Sequence, residues 1–161
     1  DAPVQAVNFN CPGQVVIAGE AGAVEKACGA LKEAGARRAV MLKVSAPFHS
    51  TLMEPAAKRL KEVLDTISIH DTLIPVFANV NAKEETKADE IRKNLVDQAA
   101  HAVHWEESVR NMIAGGVDCT VEVGPGTVLS GFMRKIDRSV TNLHAEDIDT
   151  TNEVVSTLKG E

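Results

Sequence analysis

The stretch Val44-Ser45-Ala46-Pro47-Phe48-His49-Ser50 joins a strand-like segment to a helix-like segment and places a histidine at the junction. Upstream, Val40, Leu42 and Val44 would share one side of an extended chain over residues 38–44, which predicts a strand with one buried face. Pro47 has no amide hydrogen for a sheet and ends this pattern. Downstream, apolar residues recur at helical spacing from Met53 to Ile67. The sequence therefore predicts a change from strand to helix at His49.

Two interpretations of His49 are open on spacing alone. A histidine just before a helix can act as a proton acceptor in catalysis, or it can pack and hydrogen-bond at a strand end. The pattern Thr51-Leu52-Met53-Glu54 is typical of a capping box and predicts that the helix starts there. A catalytic histidine needs a nucleophile within reach. No Gly-x-Ser-x-Gly elbow occurs, so we expect any such nucleophile to lie outside this polypeptide.

The composition indicates one compact domain or two small subdomains, with 161 residues of which 44% are hydrophobic and 25% charged. A net charge of -6, with four Phe, one Trp and no Tyr, argues against nucleic-acid binding. No apolar run has the length of a membrane span. Three cysteines at unrelated spacings favour reduced thiols and a cytoplasmic location. Since the chain begins Asp1-Ala2-Pro3 and enters a strand pattern at once, we expect it to be cut from a longer protein.

The order of elements predicts an α/β fold. Strand, strand, helix and strand up to residue 44 resemble the last part of a ferredoxin-like unit. Later strands alternate with helices, which predicts a parallel sheet covered by helices on both faces. The predicted strands are 4–9, 14–18, 38–44, 73–78, 119–123 and 140–143, the predicted helices are 23–34, 51–67, 90–99, 105–114, 128–136 and 151–158, and 83–89 is predicted as a solvated loop.

Two further motifs have alternative interpretations. His101 and His104 are three residues apart and could share a metal, but no matching ligand accompanies them, so we interpret them as loop residues and predict no metal site. The turn Gly124-Pro125-Gly126 between a strand and a helix could hold an anion on free helix amides. It lacks the residues of a phosphate loop, which favours a tight turn.

Five motifs in order resemble the bacterial malonyl-CoA:acyl carrier protein transacylases of fatty-acid synthesis, over the C-terminal half of that family's length. They are 4–19, with Asn-Phe-Asn-Cys-Pro-Gly-Gln-Val-Val-Ile-Ala-Gly at 8–19, Ser45-Ala46-Pro47-Phe48-His49, Pro75-Val76-Phe77-Ala78-Asn79-Val80, 95–105, and Glu122-Val123-Gly124-Pro125-Gly126. The resemblance implies an α/β-hydrolase-like core with a ferredoxin-like subdomain. Residues 1–45 would then be the C-terminal part of the subdomain and residues 46–161 the C-terminal part of the acyltransferase core.

The resemblance also implies a ping-pong mechanism. Malonyl-CoA is the substrate, and no cofactor is implied. A serine takes malonyl from coenzyme A and passes it to the phosphopantetheine thiol of acyl carrier protein. His49 matches the catalytic histidine, and Gln98 falls at the position whose backbone carbonyl orients it. Phe48 matches a residue that narrows the pocket for malonyl.

Other residues match positions near the family's substrate and carrier sites. Asn8, Asn10 and Gln14 match positions lining the cleft between subdomains, and Asn79 matches an asparagine near the active site; turn and strand-end hydrogen bonding is the alternative for all four. Arg37-Arg38 and Arg134-Lys135 are candidates for docking the acidic carrier protein, with an ordinary solvated face as the alternative.

The nucleophile elbow, the malonyl-binding arginine and the oxyanion loop of the family lie in the half that this sequence lacks. We therefore expect the chain alone to be inactive, and either to aggregate or to need the N-terminal half of the same protein as a partner. Two alternatives stay open: an acyltransferase domain of a polyketide synthase, and a non-catalytic fragment that binds carrier protein.

Overall fold

The computed structural model describes residues 2–160 and has an α/β fold. Within this range six strands and six helices follow one another, and a 3-10 turn at Thr51–Met53 precedes the second helix. The strands are β1 Val4–Cys11, β2 Gln14–Gly19, β3 Val76–Phe77, β4 Glu84–Glu85, β5 Cys119–Val123 and β6 Thr141–Ala145. The helices are α1 Ala21–Glu33, α2 Glu54–Leu64, α3 Ala88–Asp97, α4 Trp105–Ala114, α5 Val128–Ile136 and α6 Ile148–Lys159.

The strands of the described residues form three two-stranded sheets. β1 and β2 pair antiparallel as a hairpin, and so do the short strands β3 and β4. β5 and β6 pair in parallel with Cys119 opposite Thr141, and α5 is the crossover between them. The predicted parallel pairing is therefore confirmed for this pair of strands.

The helices follow local sequence signals closely. α4 and α5 have the predicted bounds, and Pro55 lies in the first turn of α2, where its missing amide hydrogen costs little. α6 starts three residues before the predicted start, because Asp147 caps it in a capping box with Thr150. The capping box predicted at Thr51 is wrong: Met53 precedes α2 without a side-chain cap, and Thr51 opens the 3-10 turn instead.

The predicted strand at 38–44 is absent, so the strand-strand-helix-strand order is not formed. This segment is irregular, and Val40, Leu42 and Val44 are more than half exposed. Alternating side chains favour a strand only where a neighbouring strand supplies the hydrogen bonds of the ladder. The described residues place no such neighbour beside it.

The predictions for 73–78 and 83–89 are also corrected. The first segment is extended only at β3, and Leu73 is fully exposed at 103% rather than buried. The second is not a solvated loop, since it contains β4 and the start of α3, and Glu85 is buried at 7% exposure. Asn94 of α3 donates a hydrogen bond to the Glu85 carboxylate, which explains how a charged residue is accommodated there.

A hydrophobic cluster joins the N-terminal hairpin to the C-terminal half of the chain. Cys11 at the end of β1 is 2% exposed and packs with side chains of α4 and α5. The buried members are Cys11, Val109, Met133 and Ile136, surrounded by Trp105, Ile113, Phe132 and Val140. Among the described helices, none has the length and apolar character needed to cross a membrane.

Candidate functional site

His49 has an unusual backbone conformation. Its φ is 63°, in the left-handed region that non-glycine residues seldom occupy, although histidine is among those that enter it more often. The next residue, Ser50, is 1% exposed, and its hydroxyl donates to the carbonyl of Pro47 at 2.6 Å. A left-handed residue persists only where its surroundings hold it, and such residues concentrate at functional sites.

The His49 imidazole is fixed by the carbonyl of Gln98, as the resemblance predicts for these two positions. Nδ1 of His49 lies 2.8 Å from that oxygen. Since a carbonyl only accepts, Nδ1 carries a proton, and in the neutral form of the imidazole Nε2 is then the acceptor. Gln98 directly follows α3, and carbonyls at a helix C-terminus have no partner within the helix. In that form the ring presents Nε2 as a proton acceptor, and among residues 2–160 its Nδ1 contacts a backbone carbonyl rather than a carboxylate.

Asn79 lies beside the same residue. Its side-chain amide donates to Oε1 of Gln98 at 3.4 Å, and its backbone carbonyl accepts from the amide of His104 at 2.8 Å. The structure thus brings together three of the predicted site residues, His49, Gln98 and Asn79.

The remaining predicted ligand contacts are less closely associated with His49. Asn8 and Asn10 lie on β1 and Gln14 begins β2, and Oε1 of Gln14 is buried without a hydrogen-bond partner. Within residues 2–160 none of these three side chains is hydrogen-bonded to His49 or Gln98. Phe48 is adjacent to His49 and 48% exposed, so its ring is available to line a pocket.

The two basic pairs occupy different elements. Arg37 and Arg38 lie in the irregular segment after α1, and Arg134 and Lys135 are in the last turn of α5; all four are exposed.

The glycine-rich turn before α5 is closed by the chain's own carboxylates. Glu122 accepts from the amides of Leu129 at 3.0 Å and Ser130 at 2.7 Å, and Glu146 accepts from the amide of Gly126 at 2.7 Å. Burial alone would raise the pKa of the Glu122 carboxyl, but hydrogen bonds from Ser130 and Leu129 hold it below the ordinary value. Carboxylates of the chain itself thus occupy the amides of Gly126, Leu129 and Ser130, which supports the tight-turn interpretation over an anion site.

The two closely spaced histidines have separate partners. Nδ1 of His101 lies 2.7 Å from the carbonyl of Asp97. His104 stacks on Phe9, with ring centroids 5.5 Å apart, and lies 3.5 Å from Glu107. Over residues 2–160, no group of three or more His, Cys, Asp or Glu side chains is placed to hold a metal.

One contact near His49 was missed by the sequence analysis. Oε1 of Gln5 accepts hydrogen bonds from the amide and the hydroxyl of Thr51, two residues after His49. These residues are 46 positions apart, so no local pattern connects them.

The chain is an α/β protein in which a backbone carbonyl holds the imidazole of a histidine. Similarity to known proteins makes this specific: the resemblance to bacterial malonyl-CoA:acyl carrier protein transacylases is confirmed. The chain is 47% identical over 158 residues to malonyl CoA-acyl carrier protein transacylase of Bacillus subtilis, covering 98% of this chain and 50% of that protein. It is 49% identical over 138 residues to the Escherichia coli K12 protein of the same name, covering 86% of this chain and 45% of that one.

Solved structures agree. The acyl-carrier-protein S-malonyltransferase of Burkholderia pseudomallei superposes with a TM-score of 0.94 at 41% identity, over 96% of this chain and 50% of that one. The structure of a type II PKS acyl-carrier protein in complex with its malonyl-transacylase matches with a TM-score of 0.93 at 42% identity, over 99% of this chain and 51% of that one. The chain spans about half the length of the curated relatives it matches. No protein-family model matches it.

Proposed function

We propose that this chain is one part of a transacylase that moves malonyl from malonyl-CoA to the phosphopantetheine thiol of acyl carrier protein in fatty-acid biosynthesis. The observation that carries the proposal is the 2.8 Å hydrogen bond from Nδ1 of His49 to the carbonyl of Gln98, in a chain so similar to such enzymes. His49 is the proposed catalytic base, and Gln98 is its positioning residue.

The proposed reaction uses Nε2 of His49 twice. It takes the proton of a serine hydroxyl as that oxygen attacks the malonyl thioester, and it gives the proton to the departing thiol of coenzyme A. The carrier thiol then loses its proton to Nε2 and attacks the malonyl ester, and the serine oxygen leaves with that proton. Malonyl-CoA is the substrate and no further cofactor enters the proposal.

The serine of this mechanism lies outside the chain. Ser50 is buried beside His49 and its hydroxyl donates to Pro47, so it is engaged and enclosed. Ser130 is 2% exposed within α5. We infer that a polypeptide corresponding to the other half of the relatives supplies the nucleophile, and that this chain alone is inactive.

Exposed apolar segments support that polypeptide as the partner. Three segments that are apolar and strand-like in sequence lie open: 40–44, 73–76 and the end of β5 at Val123, which is 81% exposed. Soluble proteins seldom leave contiguous surfaces of this kind uncovered. Additional strands beside these segments would bury them and complete an α/β-hydrolase-like core with helices on both faces.

We propose that the domain boundary follows residue 45. The β1-β2 hairpin and α1 form part of a ferredoxin-like subdomain in residues 1–45, and the β5-α5-β6 unit belongs to the core in residues 46–161. Three free cysteines, Cys11, Cys28 and Cys119, support a cytoplasmic location.

The substrate and carrier contacts are part of the proposal. Phe48 would narrow the acyl pocket, and Asn8, Asn10, Gln14 and Asn79 would contact substrate in the cleft. Arg37, Arg38, Arg134 and Lys135 would attract the acidic carrier. A carrier of polyketide synthesis is a second candidate, because one similar structure is a type II PKS acyl-carrier protein in complex with its malonyl-transacylase.

Intact-mass spectrometry tests this proposal. The chain is mixed with a polypeptide corresponding to the other half of its relatives, exposed briefly to malonyl-CoA and then to carrier protein. We expect one malonyl adduct on the second polypeptide, none on this chain, and transfer to the carrier. Carrier binding without any adduct would instead favour a non-catalytic fragment, and an adduct on this chain would contradict the placement of the nucleophile. Transfer of another acyl unit in preference to malonyl would favour the polyketide alternative.

A further inference from the structure

Gln5 holds the backbone that follows His49. Its Oε1 accepts from the amide of Thr51 at 2.8 Å and from the hydroxyl of Thr51 at 3.0 Å. Thr51 begins the 3-10 turn, and the first amides of a helical turn have no acceptor within the turn. Gln5 therefore satisfies this amide from a distant part of the chain.

The position of Gln5 is itself well fixed. It lies in β1 opposite Ala18 of β2, before the irregular pairing that separates Ala6 from Asn8. A side chain on a paired strand is a firmer support than one on a free loop.

The second support of His49 is attached to the same strand. Gln98 is followed closely by Val103, whose amide donates to Val7 at 2.8 Å and whose carbonyl accepts from Phe9 at 2.9 Å. β1 thus anchors both the segment that follows His49 and the segment that carries its carbonyl partner.

We propose that Gln5 is a positioning residue for His49, an inference that rests on the proposed function. The left-handed backbone of His49 is strained, so it reverts to a commoner conformation unless neighbouring residues are held. Ser50 is held by its bond to Pro47 and Thr51 by Gln5. Releasing Thr51 lets the His49 backbone relax, which moves Nδ1 away from Gln98 and Nε2 away from its proton donor.

The test compares three variants of the full-length protein that we propose contains this chain. Gln5→Leu removes the acceptor, and Gln5→Glu restores an oxygen that can accept both bonds. Asp147→Leu is the matched control, because Asp147 also accepts from the amide and the hydroxyl of one threonine, Thr150, at 2.8 and 2.7 Å. It does so at the start of α6, without contact to His49.

We expect Gln5→Leu to lower kcat by about tenfold to a hundredfold with KM for malonyl-CoA unchanged, because small misplacements of catalytic groups have effects of that order. Gln5→Glu should recover most of the rate, and Asp147→Leu should retain it. Equal kcat in Gln5→Leu and the unsubstituted protein, an equal loss in Asp147→Leu, or no recovery in Gln5→Glu would overturn the inference. If Gln5→Leu does not fold, Thr51→Val removes the hydroxyl bond alone and should lower kcat by a smaller factor.

A nuclear magnetic resonance signal separates this inference from the proposed function. The Nδ1 hydrogen of His49 should exchange slowly with water in the unsubstituted protein and in Gln5→Glu, and rapidly in Gln5→Leu. If the unsubstituted protein transfers no malonyl, the proposed function fails, and this exchange rate still decides whether Gln5 positions His49. Equal exchange in all variants would overturn the positioning role.

Discussion

The Glu122 carboxylate accepts a 2.7 Å hydrogen bond from the amide of Ser130, so a strand residue caps the helix that follows it. The same carboxylate accepts from Leu129, and both amides belong to the first turn of α5. A negative charge at a helix N-terminus is stabilised by the helix dipole and by the free amides. The β5-α5-β6 unit is therefore tied together at the turn by one side chain.

This cap predicts a pH dependence of stability. The pKa of Glu122 is lowered in the folded state from its ordinary value of 4.5. The stabilisation that its ionised carboxylate provides is therefore complete above the ordinary pKa and is lost as the pH falls through the lowered pKa. Glu122→Gln should therefore lower the melting temperature of the full-length protein at neutral pH, by the equivalent of about 0.5–1 kcal/mol. As the pH falls below this lowered pKa, the two melting curves should converge. A difference that persists or grows in acid would contradict this explanation.

Two glycines near this cap should respond in opposite directions to alanine. Gly131 lies within α5 and has open space where the methyl group of an alanine would project. Because alanine favours a helix more than glycine does, Gly131→Ala should raise the free energy of unfolding by about 0.5–1 kcal/mol. Gly124 also has open space there, but its φ is +128°, a backbone angle that residues with a side chain rarely adopt. Gly124→Ala should therefore lower the free energy of unfolding by about 1–3 kcal/mol. Thermal unfolding of both variants measures the difference. A similar shift in both would show that the backbone angle does not decide the outcome.

Arg92 is expected to hold α2 against α3. Its guanidinium donates to the carbonyls of Leu64 and, at 2.9 Å, Ile67, which lie at and just beyond the end of α2. Arg92→Met leaves these carbonyls without that donor and should lower the free energy of unfolding by about 1–2 kcal/mol. Lys93→Met is the control, because the neighbouring Lys93 forms an exposed ion pair with Asp97, and its loss should change the free energy of unfolding by less than about 1 kcal/mol. Equal losses of stability in the two variants would show that removal of a positive charge from α3, and not loss of the carbonyl contacts, is the cause.

Local periodicity was sufficient to predict the helices but not every strand. α4 and α5 were predicted with their observed bounds, because a helix satisfies its backbone within one segment. Residues 38–44 were mispredicted, because a strand needs a partner that its own sequence does not contain. The predicted contact of His49 with the Gln98 carbonyl came from the family resemblance, which carries information that spacing lacks.

The same distinction applies at the candidate site. Nothing near Gln5 indicates that its side chain would reach Thr51, since the pairing depends on how β1 lies against the segment after His49. Glu122 could have been noticed as an acidic residue just before a glycine-rich turn and helix. Its role as the cap depends on the turn geometry that brings the strand end back over α5.

Substituting His49 by asparagine gives a direct test of its proposed role as a base. Asparagine tolerates the left-handed conformation that His49 adopts at φ 63°, so His49→Asn removes the imidazole with little added backbone strain. Malonyl transfer by the full-length protein should fall by about 10²–10⁴-fold, the usual contribution of general acid-base catalysis. His101→Asn is the matched control, because Nδ1 of His101 also binds a backbone carbonyl, that of Asp97 at 2.7 Å. It should leave the rate unchanged. An equal loss in both variants would point to a structural role for histidine-carbonyl contacts, and an active His49→Asn protein would remove His49 from the mechanism.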